Sequence, residues 1–264
     1  MKVLLILTLC VISIFLNILA TPNGRIGGGS VSDIANYPFA AALLRLQSGS
    51  YRHQCGGTII SSDAILSAAS CFFTENVADE PIQWRARVGS SYSNRLGLTH
   101  IIKQITTHPE FEQSTKIHDI GVVRTTIPFT YGETVQAAYL AGGAYSLPSA
   151  EAVQAIGWGV TSTDGDLSPE LRETTIWVTD QATCVNRYSE RNVSVTDNMV
   201  CAGWLGVGIR GQCQGDTGSP LIHNNVVVGV FSQSEGCASV RHPGINTRVS
   251  SYTRWIEATA VADL

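Results

Sequence analysis

The sequence predicts a mostly β fold of the sandwich or barrel class. From residue 25 onward, short β-rich runs alternate with Gly, Pro, Asn and Asp, and strands at this spacing with turns between them are typical of sandwiches and barrels. The length of 264 residues fits one such unit or two small ones. Only 14% of the residues are charged, against about 25% in a typical soluble chain, so we expect a folded protein.

The predicted elements follow in chain order. Six runs have the composition of strands: 58–60, 84–88, 100–106, 120–124, 153–158 and 226–232. His223, Asn224 and Asn225 precede the last run as a hairpin connection. One helix is predicted at the C-terminus, where Ser250 or Ser251 can cap it and apolar residues recur at helical spacing.

The charge balance excludes one large class of function. The formal net charge is −4, the pI is about 5.8, and no run of five or more Lys or Arg occurs. Binding to a phosphate backbone needs a basic patch. We therefore predict no nucleic-acid partner.

Residues 1–20 have the pattern of a secretory signal peptide. Lys2 precedes an apolar run that continues to Leu16, and small residues follow near Ala20. A transmembrane anchor is the alternative, because the apolar stretch is close to the minimum length that spans a bilayer. Asn17 interrupts that stretch and no basic cluster follows it. We predict a secreted, extracellular product that leaves the membrane after signal cleavage.

The cysteines support export. Cys10 leaves with the signal peptide, and the six that remain read as three disulfides in an oxidising compartment, with fifteen possible connectivities. Neither Cys-x-x-Cys nor His-x-x-x-His spacing occurs, so we predict no metal site and no cofactor. Asn192 begins an Asn-Val-Ser glycosylation acceptor, which is usable only on an exposed loop.

Three motifs carry a family resemblance. Leu-Ser-Ala-Ala-Ser-Cys at 66–71, His-Asp-Ile-Gly-Val-Val at 118–123 and Gly-Asp-Thr-Gly-Ser-Pro at 215–220 occur in this order with wide spacing. Together with Gly-Trp-Gly at 157–159, they resemble the chymotrypsin-like (S1) serine proteases from Arg25 to the C-terminal helix. Residues 201–216 are most similar to insect digestive trypsins.

The resemblance implies a fold and a domain organisation. It implies two antiparallel six-stranded β-barrels with the site in the cleft between them, and a C-terminal α-helix. Residues 21–25 become a short activation peptide and 26–264 the protease domain. Cleavage after Arg25 would free an amine on Ile26 that pairs with Asp216. The implied disulfides are Cys55–Cys71, Cys184–Cys201 and Cys213–Cys237.

Two of the three family catalytic positions are substituted. Ser70 stands where the family has its general-base His, and Thr217 stands where it has its nucleophilic Ser; only the acid remains, as Asp119. A serine hydroxyl has no useful basicity near neutral pH, so it cannot carry a proton from nucleophile to leaving group. The methyl group of threonine also restricts its side-chain torsion. We predict a catalytically inactive or strongly impaired protein.

No other histidine is expected to replace the missing base. His118 directly precedes Asp119, and neighbouring side chains of a strand point to opposite faces. His53 matches a position where the family often carries a structural histidine. The remaining imidazoles lie outside the motifs and are expected to be exposed or hydrogen-bonded elsewhere. Asp119, if buried, then needs other donors, for which Ser232, Ser70 and a water molecule are the candidates.

The family pattern also places the substrate subsites. Backbone N–H groups of Gly215 and Thr217 would form the oxyanion hole. Ser219 replaces the second glycine of Gly-Gly-Pro, which we expect to disturb that turn. Gly211 stands where trypsins carry an Asp, so a buried Lys or Arg would have no partner. The remaining pocket positions are Ser232, Ser234 and Gly244, and we predict a pocket for an apolar or aromatic side chain.

Two functions remain open at this point. The first is a secreted, monomeric homologue without catalysis that binds a polypeptide substrate, a protease inhibitor or a partner protease through the former substrate cleft. The second is a working serine-type endopeptidase, digestive and with a preference for apolar residues, that uses Thr217 with an unrecognised or substrate-supplied base.

Overall fold

The computed structural model describes residues 29–162 and 165–260, and strands dominate both stretches. The strands are β1 Ser30–Val31, β2 Ala40–Gln47, β3 Ser50–Ile59, β4 Ala64–Ser67, β5 Phe73–Thr74, β6 Val77–Ala78, β7 Trp84–Val88, β8 Leu98–Thr107, β9 Gly121–Thr125, β10 Tyr139–Leu140, β11 Ala152–Gly157, β12 Arg172–Thr179, β13 Met199–Gly203, β14 Pro220–His223, β15 Val226–Gln233 and β16 Gly244–Arg248. The α-helices are α1 Gln181–Ser189 and α2 Thr253–Ala260. Short 3-10 turns cover Ile34–Asn36, Ala69–Phe72, Pro81–Gln83 and Val249–Ser251.

The first half of the chain closes into an antiparallel barrel. Its strand order is β2-β3-β4-β9-β8-β7, and β7 returns to β2. Along β7, Trp84, Ala86 and Val88 are buried while the arginines between them are half-buried, which is the alternation expected of a strand with one face in a core. The indole N–H of Trp84 donates to Asp79 Oδ2 at 3.1 Å, so the largest core side chain keeps a hydrogen-bond partner.

The second half forms a second antiparallel barrel. Its order is β12-β11-β14-β15-β16-β13, closed by pairing of β13 with β12. Strand β1 adds to β12, and β10 pairs with β15 in parallel. The predicted fold of two six-stranded barrels is confirmed. Several strands, among them β4, β9 and β13, are buried along their whole length.

The sequence located the strands better than the helices. All six predicted runs fall on strands, and the hairpin turn is confirmed, with Asn224 and Asn225 at φ +49° and +61°. The predicted caps are wrong: Ser250 and Ser251 belong to a 3-10 turn, and α2 begins only after Tyr252, at Thr253.

Helix α1 was not predicted from its composition. Its sequence is largely polar and only two of its side chains are buried, so the apolar repeat that indicates a helix is weak. The N-cap signal was present, because the Asp180 side chain accepts from Thr183 N at 2.9 Å. Cys184 then ties the helix to β13 through its disulfide with Cys201.

Three disulfides are present, and all three implied pairings are confirmed: Cys55–Cys71, Cys184–Cys201 and Cys213–Cys237. The expected signal peptide, Arg25 and Ile26 lie outside the described residues. Over residues 29–162 and 165–260, none of the helices is long and apolar enough to span a bilayer.

Candidate active-site cleft

Asp119 connects the two barrels at the base of the cleft. It lies two residues before β9 of the first barrel and is fully buried. Ser232 Oγ, on β15 of the second barrel, donates to Asp119 Oδ2 at 2.6 Å. Thr247 Oγ1, on β16, donates to the main-chain oxygen of Asp119 at 2.7 Å. Asp119 is therefore held by both of its neighbouring strands in the other barrel.

Ser70 supplies the remaining donors to Asp119. Its main-chain N donates to Oδ1 at 2.7 Å and its hydroxyl donates to Oδ2 at 2.9 Å. Both protein donors that the sequence offered, Ser232 and Ser70, thus bind the carboxylate. Burial raises the pKa of Asp119, and the hydrogen bonds from Ser232 and Ser70 oppose that rise. The hydroxyl proton of Ser70 is committed to this carboxylate.

Thr217 enters the cleft on a loop that touches the first barrel. Gly56 N donates to Thr217 O at 2.8 Å across the barrel boundary. Gly218 has φ +84°, and a Cβ there would lie 2.1 Å from Ser67 Oγ, so only glycine fits. Ser219 does not have a positive φ. The expected disturbance of the turn by Ser219 is therefore wrong, because its backbone suits an ordinary L-residue.

The expected oxyanion donors face a common space. Gly215 has φ +88°, and the main-chain N–H groups of Gly215 and Thr217 donate to no acceptor among the described residues. Both residues line a cavity of about 350 Å³ together with Ser70 and Ser232. Two N–H groups directed at one space can bind an oxygen of a ligand whatever the side chain at 217 is.

None of the chain's six histidines lines this cavity. His53 is buried, with Nε2 bonded to Gly215 O at 2.9 Å, and burial lowers its pKa to about 4. His118 turns away from Asp119 and bonds Tyr252 OH at 2.8 Å through Nδ1. The ε-amino group of Lys116 and the guanidinium of Arg45 are the basic groups on the cavity wall, and Arg45 is paired with Asp79 at 2.9 Å.

Lys116 was missed by motif reading. It lies in the turn before Asp119 with φ +59°, and its charge lowers the pKa of Asp119. No sequence signal distinguishes it, because the motif begins only at His118. The cleft therefore carries a half-buried positive charge that the sequence did not suggest.

The primary pocket departs from the prediction. Gly211, Ser234 and Gly244 line one space as expected, but the volume of that space is only about 10 Å³. This is about the smallest volume that can hold one water molecule. Ser232 lines the larger cleft cavity instead. An open pocket for an apolar or aromatic side chain is thus absent from the described structure.

Gln212 also lines this narrow space and was not among the predicted residues. It is 2% exposed, and neither its Nε2 nor its Oε1 bonds a described residue. His242 Nε2 and Arg210 Nε, on the same wall, are also buried without a partner. The pocket is therefore narrow, and buried polar groups line it, among them the amide of Gln212.

Asp216 is a second fully buried carboxylate. Gly159 N donates to Oδ1 at 2.8 Å and Cys213 N donates to Oδ2 at 2.9 Å. Burial raises its pKa to about 7 despite these two donors. Among residues 29–162 and 165–260, no cation pairs with it. A carboxylate in this state favours either a proton or an incoming positive charge.

Asn192 is exposed on the turn that follows α1, with φ +55°. The glycosylation acceptor thus meets the condition that the sequence set for its use.

The chain is similar to known proteins over both barrels. Residues 26–256 match the family described as Trypsin. The chain is 44% identical over 237 residues to Trypsin CFT-1 of Choristoneura fumiferana, covering 89% of this chain and 91% of that protein. It is 44% identical over 233 residues to Trypsin, alkaline A, of Manduca sexta, covering 88% and 90%. Achelase-1 of Lonomia achelous is 39% identical over 237 residues, covering 88% and 99%.

Proposed function

This chain belongs to the trypsin family of chymotrypsin-like serine proteases. On that basis, we propose that it binds polypeptides through the cleft without hydrolysing them efficiently. The observation that carries the proposal is the cavity wall: Thr217 shares it with Ser70, and no histidine reaches it. The Ser70 hydroxyl donates to Asp119 at 2.9 Å, and a serine hydroxyl has no useful basicity near neutral pH, so Ser70 does not serve as the base for Thr217. Proton transfer in acyl-group chemistry needs a base within hydrogen-bond reach of the nucleophile.

The binding half of the proposal rests on backbone groups. The N–H groups of Gly215 and Thr217 donate to no described acceptor, and they can hold a peptide carbonyl oxygen. The C-terminal end of β15 borders the cleft, where an extended peptide can add by main-chain pairing. The partner in this proposal is an extended segment of a polypeptide substrate, a protease inhibitor or a partner protease.

The narrow primary pocket directs recognition elsewhere. Because the volume of that pocket is only about 10 Å³, a large anchoring side chain has no space there. Lys116 on the cleft wall instead favours an acidic side chain of the ligand. We propose that the chain acts outside the cell, because three disulfides persist in oxidising compartments and residues 1–20 have a signal-peptide pattern.

Active-site labelling tests the catalytic half. A fluorophosphonate probe should leave the wild-type chain, cleaved after Arg25, unlabelled. The variant Ser70→His/Thr217→Ser should gain labelling, because base and nucleophile are then both supplied. Thr217→Ser alone is the matched control and should stay unlabelled, since it still lacks the base. Stoichiometric labelling of wild type that disappears in Thr217→Ala would establish the alternative, an active endopeptidase with an unrecognised base.

Peptide binding tests the other half. We expect a fluorescent peptide with a central Glu to bind more tightly than its Lys counterpart in an anisotropy titration. Lys116→Gln should remove this preference, while Lys103→Gln, on β8 of the first barrel and outside the cleft lining, should preserve it. Equal affinity of both peptides for wild type would contradict the assigned role of Lys116.

A further inference from the structure

The fold brings two histidines and a glutamate together outside the cleft. His108 follows the end of β8, Glu110 lies two residues later, and His118 lies ten residues after His108. One ligand atom of each residue lies within 4.8 Å of the other two. All three line a cavity of about 420 Å³ that Tyr252, in the turn before α2, also borders. None of them contacts Thr217 or Ser70 in the cleft.

The backbone holds the two histidine segments side by side. His108 N donates to Ile120 O at 3.0 Å, and Ile120 N donates to His118 O at 2.8 Å. His118 has φ +57°, an infrequent conformation for a residue with a Cβ, and it turns the ring away from Asp119. The separation of the two histidine segments is thus set by main-chain hydrogen bonds.

The second ring nitrogen of His118 is oriented for ligation. Its Nδ1 bonds Tyr252 OH at 2.8 Å, so Nε2 is the nitrogen directed at Glu110, at 3.9 Å from Oε2. A histidine that binds a metal usually donates its other N–H to an oxygen, which fixes the tautomer and the ring plane. Tyr252 OH occupies that supporting position.

The two imidazoles and the carboxylate lie close enough to reach one ion once their side chains rotate. The rings of His108 and His118 are stacked, with centroids 4.9 Å apart and planes 18° from parallel. Glu110 N donates weakly to His108 Nδ1 at 3.3 Å, so that nitrogen holds its lone pair toward the glutamate segment. The Glu110 side chain is 74% exposed and can rotate toward both rings.

We propose that His108, Glu110 and His118 bind a divalent transition-metal ion, with Zn²⁺ as the probe of choice. Two imidazoles and one carboxylate are a donor set that suits zinc, nickel or copper, whereas Ca²⁺ prefers oxygen ligands only. Ligand atoms about 2.0–2.1 Å from a tetrahedral zinc lie about 3.3 Å apart, so binding requires the ligand atoms, which now lie within 4.8 Å of one another, to come closer together. The open cavity leaves the fourth position to water.

Calorimetric titration of the full chain, free of any histidine tag, tests the site. We expect one equivalent of Zn²⁺ to bind and Ca²⁺ not to compete. Glu110→Gln and His108→Ala should each abolish detectable binding. Tyr252→Phe, which removes only the hydroxyl behind His118, should weaken binding about tenfold or more. Glu112→Gln is the matched control, because it is an exposed glutamate of the same loop outside the trio, and it should bind as wild type does.

A spectroscopic measurement on the wild-type chain keeps the test independent of variant folding. Electron paramagnetic resonance of one bound Cu²⁺ should show coupling to two imidazole nitrogens. No stoichiometric Zn²⁺ binding by wild type, or binding that survives both Glu110→Gln and His108→Ala unchanged, would overturn the proposal. Cu²⁺ spectra without two nitrogen couplings would overturn it as well.

Discussion

At the scale of single residues, the buried carboxyl group of Asp119 remains fully hydrogen-bonded although Ser70 stands where the family has a histidine. Four hydrogen bonds reach this residue from three neighbours: two from Ser70, one from Ser232 and one from Thr247. The first three satisfy the carboxylate. A buried carboxylate with several donors can remain ionised without a positive partner. The substitution at Ser70 is therefore accommodated locally, because Ser70 itself supplies two of the donors that the carboxylate needs.

Ser232 is the donor whose loss should be felt most clearly. At 2.6 Å its bond to Asp119 is the shortest of the carboxylate's contacts, and Ser232→Ala leaves a buried charged acceptor short of one donor. We expect a loss of about 1–3 kcal/mol in the free energy of unfolding at pH 8. The pKa of Asp119 should rise further, because a hydrogen bond to the charged form is lost.

Urea denaturation of Ser232→Ala at pH 8 and at pH 5 measures this cost. It should shrink at the lower pH, because a larger fraction of the carboxyl is protonated there and a protonated carboxyl needs fewer donors. Ser234→Ala is the control, because that hydroxyl bonds only Gly236 O in an exposed turn, and its unfolding should match wild type. A Ser232→Ala protein as stable as Ser234→Ala would show that the bond to Asp119 contributes nothing.

At the scale of elements, the segment between β13 and β14 decides what the pocket can hold. Gly211 leaves the base of the pocket without a side chain, yet a Cβ at 211 would already lie 3.1 Å from Ala238 Cα. The backbones on the two sides of the pocket are therefore close together, and Gln212 lines the remaining space. Residue identity at 211 alone could not predict this, because the close approach comes from the segment around Ala238, between β15 and β16.

Truncating Gln212 should open the pocket. Gln212→Ala removes a buried amide that bonds no described residue, so the lost packing is offset by a relieved desolvation cost and stability should change by less than about 2 kcal/mol. We expect the variant, and not wild type, to bind indole in an NMR titration. Gln214→Ala, an exposed amide on the cleft wall, is the control and should not bind it. Equal binding of indole by wild type would show that the pocket is open in solution.

At the scale of the whole molecule, the buried carboxyl group of Asp216 makes stability depend on pH. It is fully buried with a pKa raised to about 7 from an ordinary value of 3.8, so the folded state holds a proton that the unfolded state releases earlier. The contribution of this group to stability is fully present below about pH 3.8 and is lost as the pH rises through 7. At about 1.4 kcal/mol per pKa unit, the loss is on the order of 4 kcal/mol.

Cleavage after Arg25 should weaken this pH dependence. We propose that the freed amine of Ile26 pairs with Asp216, so that the carboxylate is compensated at neutral pH. The melting temperature of the uncut chain should fall between pH 5 and pH 8, while that of the cut chain should change much less. Asp216→Asn should remove the difference between the two forms. Parallel melting curves for cut and uncut wild type over this range would exclude the pairing.

The strands and the motifs could be predicted from the sequence because they depend on residues that are close together in the chain. Alternating burial along β7 follows from the period of a strand, and the turn at Asn224–Asn225 follows from residues that accept positive φ. The disulfide pairs were implied by the family resemblance and are present. Helix α1 was not predicted because a disulfide and tertiary contacts stabilise it, whereas its sequence lacks a strong apolar repeat.

Sequence patterns were sufficient to predict a disulfide-containing β protein of the trypsin pattern, with a serine and a threonine at two of the family's catalytic positions. Three features became visible only in the folded structure. Gln212 lines the narrow pocket, and Lys116 lines the cleft. His108 and His118 lie close together beside Glu110. The physical reason is that a pocket's volume and a cluster of ligands depend on distances between segments far apart in the chain. Those distances are set by barrel closure and by backbone hydrogen bonds between segments, which no local pattern of residues records.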